Sequence, residues 1–129
     1  MRIAQMMTMS IYEGVSENGF KCYIFYPHFV YMRGPTGYVV VPKSVVKNNN
    51  FKNDSDRCTV HGGVTYFDTK FNDTKFNDEI IKLKESYVIG FDTSHYDSPR
   101  PVTMEFMENE LIGLSKELYD LSIKETTGA

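Results

Sequence analysis

The sequence predicts a single small α+β domain, in which a mainly antiparallel sheet is covered by a C-terminal amphipathic helix. Two segments, Tyr38–Pro42 and Ser86–Asp92, have the β-branched and aromatic character of strands. Apolar residues recur at steps of three and four from Met104 to Leu121, which is typical of a helix with one buried face. At 129 residues, of which 41% are hydrophobic, the chain falls in the size range of one domain spanning residues 1–129.

The first half of the chain predicts strands joined by turns. Residues 3–13 contain apolar side chains among polar neighbours and predict a strand or a short irregular element. Phe20–Tyr26 predicts a strand that ends at Pro27. Glycine and proline in residues 33–37 predict a tight turn before Tyr38–Pro42, so we expect an antiparallel hairpin.

The second half predicts two polar loops, two further strands and the helix. Residues 47–57 are rich in asparagine and predict a surface loop, and residues 68–85 predict another. Cys58–Phe67 predicts a strand interrupted at Gly62 and Gly63, where a bulge or a close backbone approach is expected. After Ser86–Asp92, Thr103 is expected to cap a helix over about residues 103–122 that packs on the sheet.

Charge and cysteine content bear on the class of partner. A net charge of −3 and an isoelectric point near 5.6 do not provide the basic surface that long nucleic acids need. Cys22 and Cys58 have neither a metal-binding spacing nor the density of a disulfide framework. No stretch approaches the roughly 20 apolar residues of a membrane span, so we expect a cytoplasmic protein with no membrane partner.

A histidine beside two glycines is the first candidate site. In the segment from His61 to Tyr66, bare backbone at Gly62 and Gly63 can offer N–H groups to an oxyanion or phosphate, and His61 can donate a hydrogen bond or transfer a proton. Thr65 can add a hydroxyl, and Tyr66 can stack on a planar group. A simple turn or bulge at the glycines is the competing interpretation.

A second histidine follows the predicted strand that ends at Asp92. Asp92, His95 and Asp97 can supply three ligands to a divalent metal, or Asp92 can orient the His95 imidazole. The alternative is an Asx-type turn, which we favour over a metal because the spacing matches no familiar zinc site. Arg100, between two prolines, is a cation suited to a carboxylate or phosphate.

The order of these motifs resembles a family of small phage and prophage proteins without an established activity. The resemblance spans most of the chain and is carried, in chain order, by Pro27-His28, Gly37-Tyr38-Val39-Val40-Val41-Pro42, Val60-His61-Gly62-Gly63-Val64-Thr65-Tyr66, Ile89-Gly90-Phe91-Asp92-Thr93-Ser94-His95 and the C-terminal helix. Relatives usually have tryptophans before the Gly-Phe-Asp motif and a cysteine after its aspartate. Here Tyr87-Val88 and Thr93 occupy those places, so the resemblance assigns no chemistry to a thiol.

The resemblance implies a phage counter-defence role, because small accessory phage proteins often act on host immune signals. The first hypothesis is a protein that binds and sequesters a nucleotide-derived signal, a cyclic dinucleotide or an ADP-ribose type, without turnover and without a cofactor. Its expected ligand-binding residues are His61, Gly62, Gly63, Thr65, Tyr66, Asp92, His95 and Arg100.

Two alternatives stay open. One is a phosphodiesterase or other hydrolase that uses His61 and His95 as acid and base with Asp92, or a metal held by Asp92, His95 and Asp97. The other is a protein-interaction module whose histidine motifs only shape loops. Assembly into homo-oligomers is compatible with all three hypotheses, and the host cell cytoplasm is the expected location.

Overall fold

The computed structural model describes residues 2–5, 9–27, 34–71, 77 and 85–125, which form one six-stranded sheet and flanking helices. The strands are β1 (Arg2–Gln5), β2 (Met9–Val15), β3 (Lys21–Pro27), β4 (Thr36–Pro42), β5 (Tyr66–Asp68) and β6 (Ser86–Asp92). Their order in the sheet is β1-β2-β3-β4-β6-β5, and every neighbouring pair is antiparallel. The predicted α+β class is confirmed.

β4 and β6 are neighbouring interior strands of the sheet. These strands are paired along their whole length, from Thr36 opposite Asp92 to Pro42 opposite Ser86. Because β6 also pairs with β5, the segment after His61 is attached to the strand that leads to His95. The sheet therefore brings the two predicted histidine segments to the same strand.

The C-terminal helix α2 (Met104–Ile123) covers one face of the sheet. The Thr103 side chain accepts a hydrogen bond from the Phe106 N–H and caps the helix, as predicted. The predicted apolar stripe contacts the strands, and each fully buried leucine contributes roughly 1.5–3 kcal/mol. Buried members of this packing are Met107, Leu111, Leu114 and Leu118 from the helix and Ile24, Val39, Val41, Ile89 and Phe91 from the strands.

The opposite face of the sheet carries a second, aromatic cluster. Successive strand residues point to opposite faces, so Val40 lies in this cluster while its neighbours Val39 and Val41 pack under α2. Phe71, only 2% exposed, lies against Tyr23 and Tyr38 with ring centroids 5.1 and 5.2 Å apart. An aromatic side chain from the segment after β5 therefore helps to cover this face.

Gly90 is needed where two tyrosines meet on that second face. Tyr38 and Tyr66 both pair with Gly90, and their rings meet edge to face with centroids 5.5 Å apart. A Cβ at position 90 would lie 2.5 Å from Cδ1 of Tyr38. The glycine thus leaves the space that the Tyr38 ring occupies.

The predicted surface loop at residues 47–57 differs from the structure. It follows a 3-10 turn (Lys43–Val45) and contains helix α1 (Phe51–Ser55), whose Phe51 is 2% exposed and packs in the core under α2. Asn48 is also buried, and its side-chain amide donates to Asp54 Oδ2 and to the Leu121 carbonyl. The polar run is therefore an anchored helical segment, because its asparagines bond to backbone and side chains of the fold.

Two further loop predictions have partial outcomes. Residues 58–65 form turns rather than the predicted strand, and only Tyr66–Asp68 joins the sheet. Of the predicted polar loop at residues 68–85, positions 72–76 and 78–84 lie outside the described residues. Among the residues that are described, no helix is long and apolar enough to cross a bilayer.

Candidate functional site

The His61 segment is a tight turn fastened to the edge of β6. The Gly63 N–H donates to the Val60 carbonyl at 2.8 Å, and both Gly62 and Gly63 have positive φ, +70° and +77°. Glycine adopts this backbone conformation without steric cost, which explains the Gly-Gly pair. The Thr65 N–H then donates to the Gly90 carbonyl at 2.9 Å, which fixes the end of the turn against the strand.

Helix α2 holds His61 from the other side. The backbone N–H of His61 donates to Glu110 Oε1 at 2.7 Å, and the imidazole lies edge to face against the Phe106 ring with centroids 5.4 Å apart. Glu110 and Phe106 are one helical turn apart, so they lie on the same side of the helix. The position of His61 is therefore set by the sheet edge and by the first half of α2.

The His95 segment is a compact turn at the end of β6. Asp92 Oδ1 accepts the Ser94 N–H at 3.1 Å, which is the Asx-type turn considered from the sequence. The buried Thr93 hydroxyl donates to the Pro35 carbonyl at 2.8 Å and ties this turn to the residues that precede β4. The Ser98 N–H donates to the His95 carbonyl at 3.1 Å and closes the following turn.

The two turns bring His61 and His95 together. Their rings meet edge to face, with centroids 5.6 Å apart and planes at 78°. The Ser98 hydroxyl lies beside both: Oγ is 2.8 Å from Nε2 of His61 and accepts the His95 backbone N–H at 3.3 Å. We call His61 and His95 the histidine pair, and Ser98 bridges them.

The Nε2 atom of His95 is enclosed by two of the predicted site residues. It lies 3.0 Å from Asp92 Oδ1 without making a hydrogen bond to it, and it is shielded from solvent. Gly62 covers the same atom: a Cβ there would lie 2.5 Å from Cδ2 of His95 and closer still to Nε2. The absence of a side chain at position 62 is therefore what lets the second imidazole approach the first turn.

The remaining predicted binding residues are not all in the cluster. The Tyr66 ring lies on the opposite face of the sheet, where burial and the nearby Asp68 carboxylate raise the pKa of its phenol to about 12. The Thr65 side chain is exposed, as are Asp97 and Arg100, and among the described residues none of the three side chains makes a hydrogen bond or ion pair with the histidine pair. Tyr66 is separated because strand residues alternate between faces.

The structure limits which groups can receive a ligand at this site. Of the N–H groups in the His61 turn, that of His61 donates to Glu110 and that of Gly63 donates to Val60. An oxyanion cradle made of the Gly-Gly backbone would need those donors to be free. Within the described part of the chain, no three histidine, cysteine or acidic residues are close enough to hold a metal ion, so Asp92, His95 and Asp97 gain no support as a metal site.

Ser98, Glu110 and Phe106 complete the cluster and were not anticipated as site residues. Ser98 is 9% exposed and stands three residues after His95, a spacing that fits an ordinary turn. Glu110 and Phe106 lie more than 40 positions after His61, on a helix whose position relative to the sheet is set by tertiary packing. Both residues lie beside the buried apolar stripe of α2, toward one side of the helix. This position is the feature that indicates a second contact surface on α2.

A cavity of about 370 Å³ lies elsewhere, between α1 and α2. It is lined by both acidic and basic side chains: Asp54, Arg57, Glu117, Asp120 and Lys124, together with Cys58 and Leu121. Burial raises the pKa of the Cys58 thiol to about 12, and the Glu117 carboxylate adds to the effect. Glu117 is already engaged by the N–H and hydroxyl of Thr59, so this surface offers no activated nucleophile.

No protein-family model matches the chain, and neither does a curated protein or a solved structure. The resemblance to a phage protein family that the motifs indicate therefore stays a prediction.

Proposed function

We propose that the chain is a phage counter-defence protein of the host cytoplasm that binds and sequesters a small nucleotide-derived signal without turnover. The ligand class is a cyclic dinucleotide or an ADP-ribose type of molecule, and the histidine pair is its contact site. The observation that carries the proposal is the 5.6 Å separation of the His61 and His95 rings. Two imidazoles at this distance can contact one phosphate or ribose group together.

The contacts around the pair favour recognition through the imidazoles rather than through the glycine backbone. Each ring uses Nε2 for an internal contact, His61 with Ser98 and His95 with Asp92, which leaves Nδ1 of each ring for a ligand. Fixed rings lose little conformational entropy when a ligand binds, which favours affinity. Gly62 leaves the space for the close approach of His95, and the Gly63 N–H is already engaged within the turn.

The acidic side chains beside the histidine pair restrict the charge that a ligand can carry. The Asp92 and Glu110 carboxylates flank the histidine pair, so a polyphosphate would be repelled unless cations compensate. Each phosphodiester of a cyclic dinucleotide carries one negative charge and the pyrophosphate of an ADP-ribose type carries two, so both suit this environment better than a triphosphate tail. Arg100, exposed five residues after His95, is the cation nearest to that histidine along the chain and completes the proposed contact set.

A phosphodiesterase is the second candidate, and one distance favours it. The 2.8 Å separation between Nε2 of His61 and Oγ of Ser98 is the geometry expected of a hydroxyl and its general base. In that alternative, one imidazole takes the proton of the attacking hydroxyl or water. The other imidazole gives a proton to the oxygen that leaves phosphorus, so the protons balance.

Capture and release distinguish the two candidates. The protein is incubated with 3′,5′-linked cyclic dinucleotides and with cyclic ADP-ribose, separated from free ligand, denatured, and the released nucleotide is identified by chromatography and mass spectrometry. Sequestration predicts recovery of intact ligand in a fixed ratio to protein. Product in excess of the protein would support the phosphodiesterase instead.

Substitutions at the histidine pair test whether the captured ligand binds there. His61→Ala and His95→Ala, each checked for folding by circular dichroism, are expected to lose capture. Lys116→Ala, on the exposed side of α2, serves as the matched control and should capture normally. Unchanged capture in both histidine variants would leave the motifs with a structural role only, as in an interaction module.

A further inference from the structure

The histidine pair contains two imidazoles in different hydrogen-bonding environments. His61 contacts a hydroxyl and His95 contacts a carboxylate, each through Nε2. A neutral imidazole carries its proton on one nitrogen, and the environment of that nitrogen decides which. The surroundings of the two Nε2 atoms therefore determine what each ring offers to a ligand at Nδ1.

Ser98 determines the tautomer of His61. A hydroxyl has one proton to donate and two positions at which to accept. The Ser98 oxygen already accepts the His95 N–H, and because the residue is 9% exposed its own proton needs an acceptor within the protein. Nε2 of His61, 2.8 Å away, is the acceptor that the described residues provide. His61 then carries its proton on Nδ1.

Asp92 determines the tautomer of His95. Nε2 of this ring is shielded from solvent by Gly62 and lies 3.0 Å from a carboxylate oxygen. A lone pair on Nε2 would face the negative oxygen and be repelled, whereas an N–H there is attracted even without ideal alignment. The proton of neutral His95 is therefore on Nε2, and its Nδ1 has a lone pair.

We infer that Ser98 and Asp92 are positioning residues that hold His61 and His95 in opposite tautomers, so that the pair offers a ligand one N–H donor and one nitrogen acceptor. Such a pair complements a group with an acceptor oxygen beside a hydroxyl. In nucleotides that combination is a phosphodiester oxygen next to a ribose hydroxyl. The ligand part of the inference rests on the proposed function, whereas the tautomers do not.

The tautomers are measured directly on the free protein. Two-bond ¹H–¹⁵N correlation spectra of ¹⁵N-histidine protein, recorded at a pH above the imidazole titration, distinguish protonated Nδ1 from protonated Nε2. The expected result is Nδ1–H for His61 and Nε2–H for His95, with assignment by His61→Gln and His95→Gln. The same tautomer in both rings would overturn the inference. This measurement is made on protein that keeps Ser98, so it does not depend on the folding of a Ser98 variant.

Variants test the role of each positioning residue. Ser98→Ala is expected to abolish the Nδ1–H preference of His61 and leave His95 unchanged, whereas Ser98→Thr keeps a hydroxyl and should keep the tautomer. Ser94→Ala is the matched control, since the Ser94 hydroxyl accepts from Gly34 and from neither histidine. Asp92→Asn should change His95 alone. A His61 tautomer that survives Ser98→Ala would overturn the role of Ser98.

Ligand discrimination tests the consequence. Calorimetry compares a 3′,5′-cyclic dinucleotide with its 2′-deoxy analogue, and loss of one hydrogen bond to the acceptor should weaken binding by roughly tenfold. Equal affinity for the two would overturn the hydroxyl contact. If the tautomers are opposite and neither the cyclic dinucleotides nor cyclic ADP-ribose bind, the proposed function is wrong while the positioning roles stand, so the two failures are distinguishable.

Discussion

Replacement of Gly62 by alanine should displace His95 from the histidine pair. Gly62 has φ +70°, and the left-handed conformation costs an alanine roughly 1–2 kcal/mol, partly offset by the lower entropy of the unfolded chain. The added Cβ would also lie 2.5 Å from Cδ2 of His95 and overlap Nε2. Relieving such an overlap costs about 1–3 kcal/mol, and because the His95 ring is partly exposed and can be pushed toward solvent, we expect the lower end of that range.

Gly63 provides the matched control. It has nearly the same backbone conformation, φ +77°, but a Cβ there meets no atom within 4 Å. Chemical denaturation should therefore show a loss of about 1 kcal/mol for Gly63→Ala and about 2 kcal/mol for Gly62→Ala. Only Gly62→Ala should shift the His95 ring resonances and weaken nucleotide capture. Equal losses and equal His95 spectra in the two variants would refute the close approach.

Three further predictions concern stability and reactivity. Leu118→Ala, at a fully buried position, should lower the free energy of unfolding by about 2–5 kcal/mol, whereas Ile112→Ala, at a side chain 63% exposed, should change it by less than about 0.5 kcal/mol in the same denaturation assay. The Asn48 side-chain hydrogen bond holds the pKa of the Asp54 carboxyl below its ordinary value of 3.8, with Lys124 and Arg57 adding to the effect. Because the pKa of Asp54 is lower in the folded state than its ordinary value, the stabilisation is present above the ordinary pKa and is lost as pH falls through the folded-state pKa. The stability difference between wild type and Asp54→Asn should therefore shrink on acidification below about pH 4. Burial raises the pKa of the Cys22 thiol to about 12, so native protein at pH 8 should react with iodoacetamide there only after unfolding, and rapid native labelling followed by peptide mapping would contradict this.

Periodicity and strand composition were sufficient to predict most of the fold. Apolar residues recur at steps of three and four from Met104 to Leu121 because they form the buried side of α2. The Thr103 cap was predictable because capping is a local interaction. Ser86–Asp92 is a strand with the predicted limits because both of its faces are buried. Phe51 was not predicted in the core, since its polar neighbours dominate the local composition and only tertiary contacts reveal its burial.

The site was predictable only where local sequence determines geometry. Gly62 and Gly63 indicated a turn or a close approach, and both are present because positive φ and a missing side chain are local properties. The sequence could not predict which face of the sheet carries Tyr66, because a sequence does not say which face of a strand packs against the helix. Ser98 and Glu110 depend on the packing of α2 against two turns, which no spacing along the chain encodes.

The central claim is that two strand-end turns form one ligand site, and a double-mutant cycle tests it most directly. Nucleotide affinity is measured by calorimetry for wild type, His61→Ala, His95→Ala and the double variant. A shared site predicts that each single variant loses tenfold or more, and that the double variant loses far less than the product, with a coupling free energy of roughly 1 kcal/mol or more. Independent, additive losses, or no loss in either single variant, would contradict the account.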